Sequence, residues 1–286
     1  MGLLAKKWSS LRWLALCPLI LILAWPNLIQ ITGDLSYLSA RKLAQTGNIR
    51  CALWLLAQTQ QLQPKQPYAY VLASDILYRT GNLVTSIDQL QVGIEEGAVH
   101  PILLNDLAVR RYEQGDPGAA LKLQEQAAAS APNVAITQHN LGVFLWQARD
   151  ALAAIRAFRE ATRIDPKWAS PYLSLALIHL EFSDYSEAEE NARKAISLQP
   201  DHADAYEVLI QSLLAQQKSA SALDAIATAE TRGAYSEHLR IYHALALRAA
   251  GDTTTSKVML ERVFRWTADS SLRRRVAVEL RSLSQR

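Results

Sequence analysis

The sequence repeats with a period of 34 residues, and that period decides what the chain can fold into. Thr46-Gly47-Asn48 returns as Thr80-Gly81-Asn82, then as Gln114-Gly115-Asp116, Arg149-Asp150 and Ser183-Asp184, and again as Gly251-Asp252. Gln217-Lys218 alone departs from this turn chemistry. Prolines keep the same clock at Pro64, Pro132, Pro166 and Pro200. A frame can be set at Gly33 and restarted at 67, 101, 135, 169, 203 and 237. Its twentieth residue is then small in all seven units: Ala52, Ser86, Ala120, Ala154, Ala188, Ala222 and Ser256. The eighth residue is small in six of seven, Ile210 being the exception. Two antiparallel helices approach closely only where the side chains at their crossing are small. Large residues such as Leu107, Leu141, Leu175 and Leu209, at the seventh place, fill the holes between. Each unit therefore reads as helix, turn and helix. One such hairpin cannot bury its apolar face alone, and stacking on its neighbours does so.

The pattern resembles the tetratricopeptide repeat, whose 34-residue unit has Leu and a small residue within the first helix and a Pro closing the second. Unit 135–168 carries Leu141-Gly142, Ala154, Phe158, Ala161 and Pro166, and unit 169–202 carries Tyr172, Leu175, Ala176, Ala188, Ala195 and Pro200. The first unit has Ser36 in place of the aromatic fourth residue, and the seventh has Arg240 and His243 where an aromatic and a Leu are usual. The resemblance covers residues 33–270. After it, Asp269 or Ser270 can cap a last helix in which Leu272, Val276, Leu280 and Leu283 recur at helical spacing. Arg273, Arg274, Arg275 and Arg281 mostly face away from that stripe, as the solvating cap of a stack should. The expected fold is all-α. It is an α-solenoid of about seven tetratricopeptide-like helix-turn-helix repeats, with an N-terminal transmembrane helix and a capping helix at 271–286.

The transmembrane expectation rests on the amino-terminal segment. A short basic tail, 1–12, holds Lys6, Lys7 and Arg12 and precedes an apolar run from Trp13 to Ile31 without a charge. Nineteen helical residues span about 28 Å, close to the hydrocarbon thickness of a bilayer. Trp8, Trp13 and Trp25 suit the interfaces. Pro18, Pro26, Asn27 and Gln30 weaken the segment, and its densest part, Trp13–Trp25, also fits the apolar region of a cleavable signal peptide. No A-x-A-like cleavage site follows it, and the repeats begin directly at Gly33. The expectation is an uncleaved signal anchor over 13–32 in contact with membrane lipid; a cleaved signal and a buried helix are the alternatives. Positive residues ahead of the run place the amino terminus in the cytoplasm of a single-pass plasma (inner) membrane protein, with the repeats outside it. Arg41, Lys42 and Arg50 after the run weaken that bias.

Charge and composition exclude several functions. Residues 1–50 carry +5 and residues 261–286 carry +4, while the total is +3, so the body from 51 to 260 is at −6. An acidic body repels a phosphate backbone, and no nucleic acid is expected to bind along it. Among the 286 residues there are two Cys and no CxxC pair, and the chain lacks GxSxG, HExxH, GxxxxGK[ST] and GxGxxG. His238 and His243 are five apart, which does not put two ligands on one helical face. Cys51 reads as a small buried residue near the start of a second helix. No enzyme, catalytic residue, cofactor or metal is expected.

Binding is what remains. The resemblance implies a concave face lined by the first helices of the units, where short peptides or partner helices dock. The second, fifth, ninth and twelfth residues of a unit share one helical face. The twelfth residues are Tyr78, Tyr112 and Trp146, then Leu180 and Leu214. Beside this aromatic stripe lie Asp75, Arg79, Asn105, Asp106, His139 and Asn140. Aromatic anchors with adaptable polar neighbours are what recognition surfaces favour. Some family members clamp a terminal carboxylate with Lys in the groove; the fifth and ninth places here hold no Lys. The expected function is a non-enzymatic scaffold or assembly factor at a membrane that binds a protein segment in this groove. The alternatives are a soluble exported adaptor and a cytosol-facing receptor on an organelle membrane.

Overall fold

A computed structural model describes residues 27–284, and among these it shows fifteen helices and no strand. The chain divides into two compact units, one ending at Pro132 and the other beginning at Asn133. The first holds α1 (27–45), α2 (Ile49–Leu62), α3 (Pro67–Arg79), α4 (Leu83–Glu95), α5 (Pro101–Glu113) and α6 (Pro117–Ser130). The second holds α7 (Ala135–Gln147), α8 (Ala151–Ile164), α9 (Ala169–Glu181), α10 (Tyr185–Leu198), α11 (Ala203–Ala215), α12 (Ser219–Arg232), α13 (Glu237–Ala249), α14 (Thr253–Trp266) and α15 (Ser270–Ser284).

From α3 to α14 the helices keep the 34-residue clock without a slip. First helices open at 67, 101, 135, 169, 203 and 237, and each is followed by a three-residue turn. The middle residue of the turn has a positive φ every time: Gly47, Gly81, Gly115 and Gly251, but also Arg149 at 65°, Ser183 at 63° and Gln217 at 62°. The Gln217-Lys218 departure therefore changes the residues and not the turn. A side chain in this left-handed region costs about 1–2 kcal/mol, part of which glycine returns as unfolded-state entropy. Ser183→Gly and Gln217→Gly are each expected to stabilise the second unit by about 0.5–1 kcal/mol in urea unfolding followed by circular dichroism. A loss on either change would mean that the side chain contributes more than its backbone costs.

Among the described residues four helix starts are capped by an Asp, whereas Asp184 before α10 makes no such bond and lies 3.2 Å from His179 Nδ1. Asp116, Asp150 and Asp252 accept hydrogen bonds from the N–H groups of Ala119, Ala153 and Thr255 at 2.9, 3.0 and 2.9 Å. Asp269 does the same for α15, accepting from the Ser271 and Leu272 N–H groups at 2.7 and 3.3 Å.

The small residues lie where the helices meet. All seven at the twentieth place are fully buried. Ser74 and Ser86 share a buried hydroxyl–hydroxyl bond of 2.7 Å, so two polar atoms at a crossing satisfy each other. At Gly142 a β-carbon would stand 2.7 Å from the Phe158 ring, so only glycine admits that ring against α7. Around such crossings the larger residues form local cores. One joins Tyr70, Ile87, Leu90, Leu103 and Leu107 in the first unit, and another joins Leu173, Tyr206, Leu209, Leu213 and Ile226 in the second. Leu272 and Val276 of α15 close a further core against Ile241 and Leu260.

Two expectations need comment. Cys51 is exposed and not buried. The buried residues of α2 are Ala52, Leu56 and Thr59, spaced to face one side, which turns Cys51 outward with Trp54. The 13–32 segment falls largely outside the described residues. Its last part belongs to α1, where Leu28 and Ile31 are exposed. Among the described residues no helix is long and apolar enough to cross a membrane.

Candidate partner-binding surface

The aromatic stripe is shared between the two units: Tyr78 and Tyr112 belong to the first, Trp146 to the second. In the first unit α3 packs on α5, and the two helices bring most of the expected residues together. Asp75 holds Arg79 at 3.0 Å, one helical turn away. Arg110, from α5, lies 3.9 Å from the same carboxylate and sets its guanidinium 3.6 Å above the Tyr78 ring. Tyr78 donates its hydroxyl proton to Glu113 at 2.8 Å. That bond, to a carboxylate, pushes the Tyr78 hydroxyl above its ordinary value and keeps it a neutral donor. Arg110 is nearly buried, and its Nε finds no partner among the described residues while its other nitrogens face Asp75 and Glu113. Asn105 donates to Asp106 at 3.2 Å. Tyr112 is half-exposed on the following turn of α5. The surface is thus an aromatic ring covered by a cation and rimmed by three carboxylates, with the half-exposed Tyr112 further along α5.

In the second unit Trp146 meets Phe182 edge to face, with ring centres 6.2 Å apart. His139 is enclosed: its ring centre is 4.7 Å from Trp168 and 5.3 Å from Phe158, and its Nε2 is 3.2 Å from the Ser174 hydroxyl. Its neighbour Asn140 approaches Nδ1 at 3.4 Å.

Five participants are not singled out by the sequence: Arg110, Glu113, Trp168, Ser174 and Phe182. Arg110 and Glu113 stand one helical turn apart around Tyr112, so a search for charges flanking the stripe finds them. Phe182 opens a turn beyond the first helix, and its sequence position gives no sign that it reaches Trp146.

Burial moves two of these groups in opposite directions. It pushes His139 below its ordinary 6.5, because an enclosed imidazolium loses its water. The folded second unit then binds fewer protons than the unfolded chain, so its stability is complete above 6.5 and drains away as pH falls through the lowered value. His139→Gln should flatten that part of a stability profile between pH 7 and 5. Burial also raises the Asp106 carboxyl, against the opposing pull of the Asn105 hydrogen bond and of Arg110. Its contribution is present at low pH and lost as pH rises through the raised value. Asp106→Asn should therefore stabilise the first unit at neutral pH and change little in acid. A variant that behaves alike at both pH values would contradict this.

The described residues contain no group of three or more His, Cys, Asp or Glu side chains placed to hold one metal ion. What the surface offers is aromatic area, one nearly buried cation and flanking acids.

Residues 105–167 and 173–237 match the family model of the tetratricopeptide repeat. The wider chain has the same fold as several solved repeat proteins. A tetratricopeptide repeat protein from Parabacteroides merdae aligns with a TM-score of 0.59 at 16% identity, covering 89% of this chain and 99% of that one. The pilF protein of Pseudomonas aeruginosa aligns at 0.63 and 18% identity, covering 74% of this chain and 97% of its own. The C-terminal part of a repeat protein from Cytophaga hutchinsonii aligns at 0.62 and 13% identity, covering 82% and 97%. At such identities the likeness is one of fold. A comparison with curated proteins gives no match.

Proposed function

We propose that the protein is a non-enzymatic scaffold that binds a segment of another protein on the first-helix faces of its repeats, and that residues 13–32 hold it at a membrane. The observation that carries the binding reading is the α3–α5 surface, where Arg110 sits over the Tyr78 ring and is itself held by Asp75 and Glu113. A ring held by a guanidinium loses little side-chain freedom when a partner arrives, which lowers the cost of binding. The Trp146–Phe182 pair supplies a further aromatic face in the second unit. Membrane attachment, with the repeats outside the cytoplasm, rests on the apolar run and the basic residues before it.

The test is a comparison of partners recovered by the wild type and by a Tyr78→Ala/Tyr112→Ala/Trp146→Ala variant. Aromatic anchors at the centre of an interface are worth about 2 kcal/mol or more each, so the variant should lose its partners. Recovery of the same set in the same amounts would sink the groove. The position at the membrane is tested apart from this, with a reporter active only outside the cytoplasm fused after Arg286. An active reporter on an intact membrane-bound chain supports the anchored reading. A silent one would move the repeats to the cytosolic side, and a shortened soluble chain would make residues 1–33 an export signal.

A further inference from the structure

The seventh repeat departs from the others at two interior places, and a cleft opens there. Its fourth residue is Arg240, where Tyr70 and Tyr206 are buried in their own repeats. Its seventh is His243, where Leu107, Leu175 and Leu209 are buried. The result is a cleft of about 690 Å³ between the end of α12, the start of α13 and the end of α14. Its floor is apolar, with Leu239 and Val263 buried. Tyr235 and Trp266 also line it, at 75% and 79% exposure, more than any other large hydrophobic side chain among the described residues.

The charges are unequally satisfied. Glu237 accepts the Thr267 hydroxyl at 2.7 Å, and Glu230 lies 3.7 Å from His243. Arg240 and Arg262 line the same cleft and have neither an ion pair nor a hydrogen bond among the described residues. The stretch 230–275 as a whole carries nine Lys and Arg against five Asp and Glu, and of the four Arg and Glu that line the cleft only the two Glu have partners. Two unpaired guanidiniums beside two exposed rings and an apolar floor match one ligand chemistry, a carboxylate next to an apolar side chain.

We infer that the cleft between α12, α13 and α14 is a second docking site, and that it takes an acidic peptide segment of a partner protein. An apolar or aromatic side chain of that segment enters between Tyr235 and Trp266, and its flanking carboxylates meet Arg240 and Arg262. The chain's own residues 1–26 do not qualify as the occupant, since they hold Lys6, Lys7 and Arg12 and no acid. This site shares no residue with the aromatic stripe, so neither reading depends on the other.

The test uses the full chain and a fluorescein-labelled decapeptide with one leucine and one phenylalanine among aspartates and glutamates, read by fluorescence anisotropy. Saturable binding that weakens with salt is expected. Arg240→Glu/Arg262→Glu should weaken it at least tenfold, about 1.4 kcal/mol. Both arginines are exposed and unpaired, so this variant should keep its helical content, and Arg240→Gln/Arg262→Gln gives the same comparison without added acids. The Tyr78→Ala/Tyr112→Ala/Trp146→Ala variant should bind the peptide as the wild type does, which separates this site from the groove. The inference is overturned if the acidic peptide does not bind, if its asparagine and glutamine counterpart binds equally, or if charge reversal leaves affinity unchanged. Binding of anionic vesicles or single-stranded DNA without binding of the peptide would overturn it as well.

Discussion

Phe158→Ala is expected to cost the second unit about 3–5 kcal/mol, the usual loss for emptying a buried aromatic site. The ring is 2% exposed, lies against the bare α-carbon of Gly142 and packs at a tilt on His139. It belongs to a core that also holds Ala154, Leu175 and Ile178, small and branched residues that cannot swing into the void. The contact with Gly142 gives a sharper check. Gly142→Ala alone adds a methyl 2.7–2.9 Å from three ring atoms. Helix propensity offers up to about 1 kcal/mol in return, but overpacking takes about 1–3, so the single change should be net destabilising. In a Phe158→Ala background the same methyl finds room, and the change should become neutral or favourable. Additive effects in this double-mutant cycle would show that the two positions do not press on each other.

Tyr206→Ala should rank with it, at about 3–5 kcal/mol by analogy with other buried rings. Tyr206 is 2% exposed in the largest core of the second unit, beside Leu173, Leu209 and Ile226. Tyr206→Phe should cost little, because the ring area and not the hydroxyl holds the helices together. Equal losses from the two substitutions in denaturant unfolding would place the stabilisation in the hydroxyl. Arg240→Tyr/His243→Leu makes the reciprocal change one repeat later. It should fill the cleft, stabilise α13 and remove acidic-peptide binding together.

Much of this architecture is legible in the sequence, because the constraints that make it are local and repeated. The small twentieth residues, from Ala52 to Ser256, are all buried at helix crossings, and one number, 34, predicts every helix start from α3 to α14. Close approach leaves no other residue type at those places, so the pattern is strong even in one sequence. Contacts between particular side chains on neighbouring helices are less legible. Nothing in the spacing says that Arg110 reaches back to cover Tyr78, or that Phe182 meets Trp146, since each depends on how far a long side chain leans across to another helix. The division after Pro132 also leaves no trace, because the period runs through it without an insertion. Arg240 and His243 are the instructive case. Both stand out in the sequence as departures from a repeat, and only the structure shows that together they leave a cleft. Cys51 is exposed for a simpler reason: helical phase, and not residue type, decides which side of α2 is buried.

The uniform three-residue turn has one more consequence. Since every turn within a repeat is three residues long and the helix starts keep the 34-residue period, removing one whole period does not shift the register. Thirty-four residues taken out from any starting phase within the second unit, such as 169–202, should bring two faces together that already mate with near copies of each other. A chain of this kind can change its length without changing its grammar, and its reach toward a partner can be tuned by counting periods while each surface stays as it is.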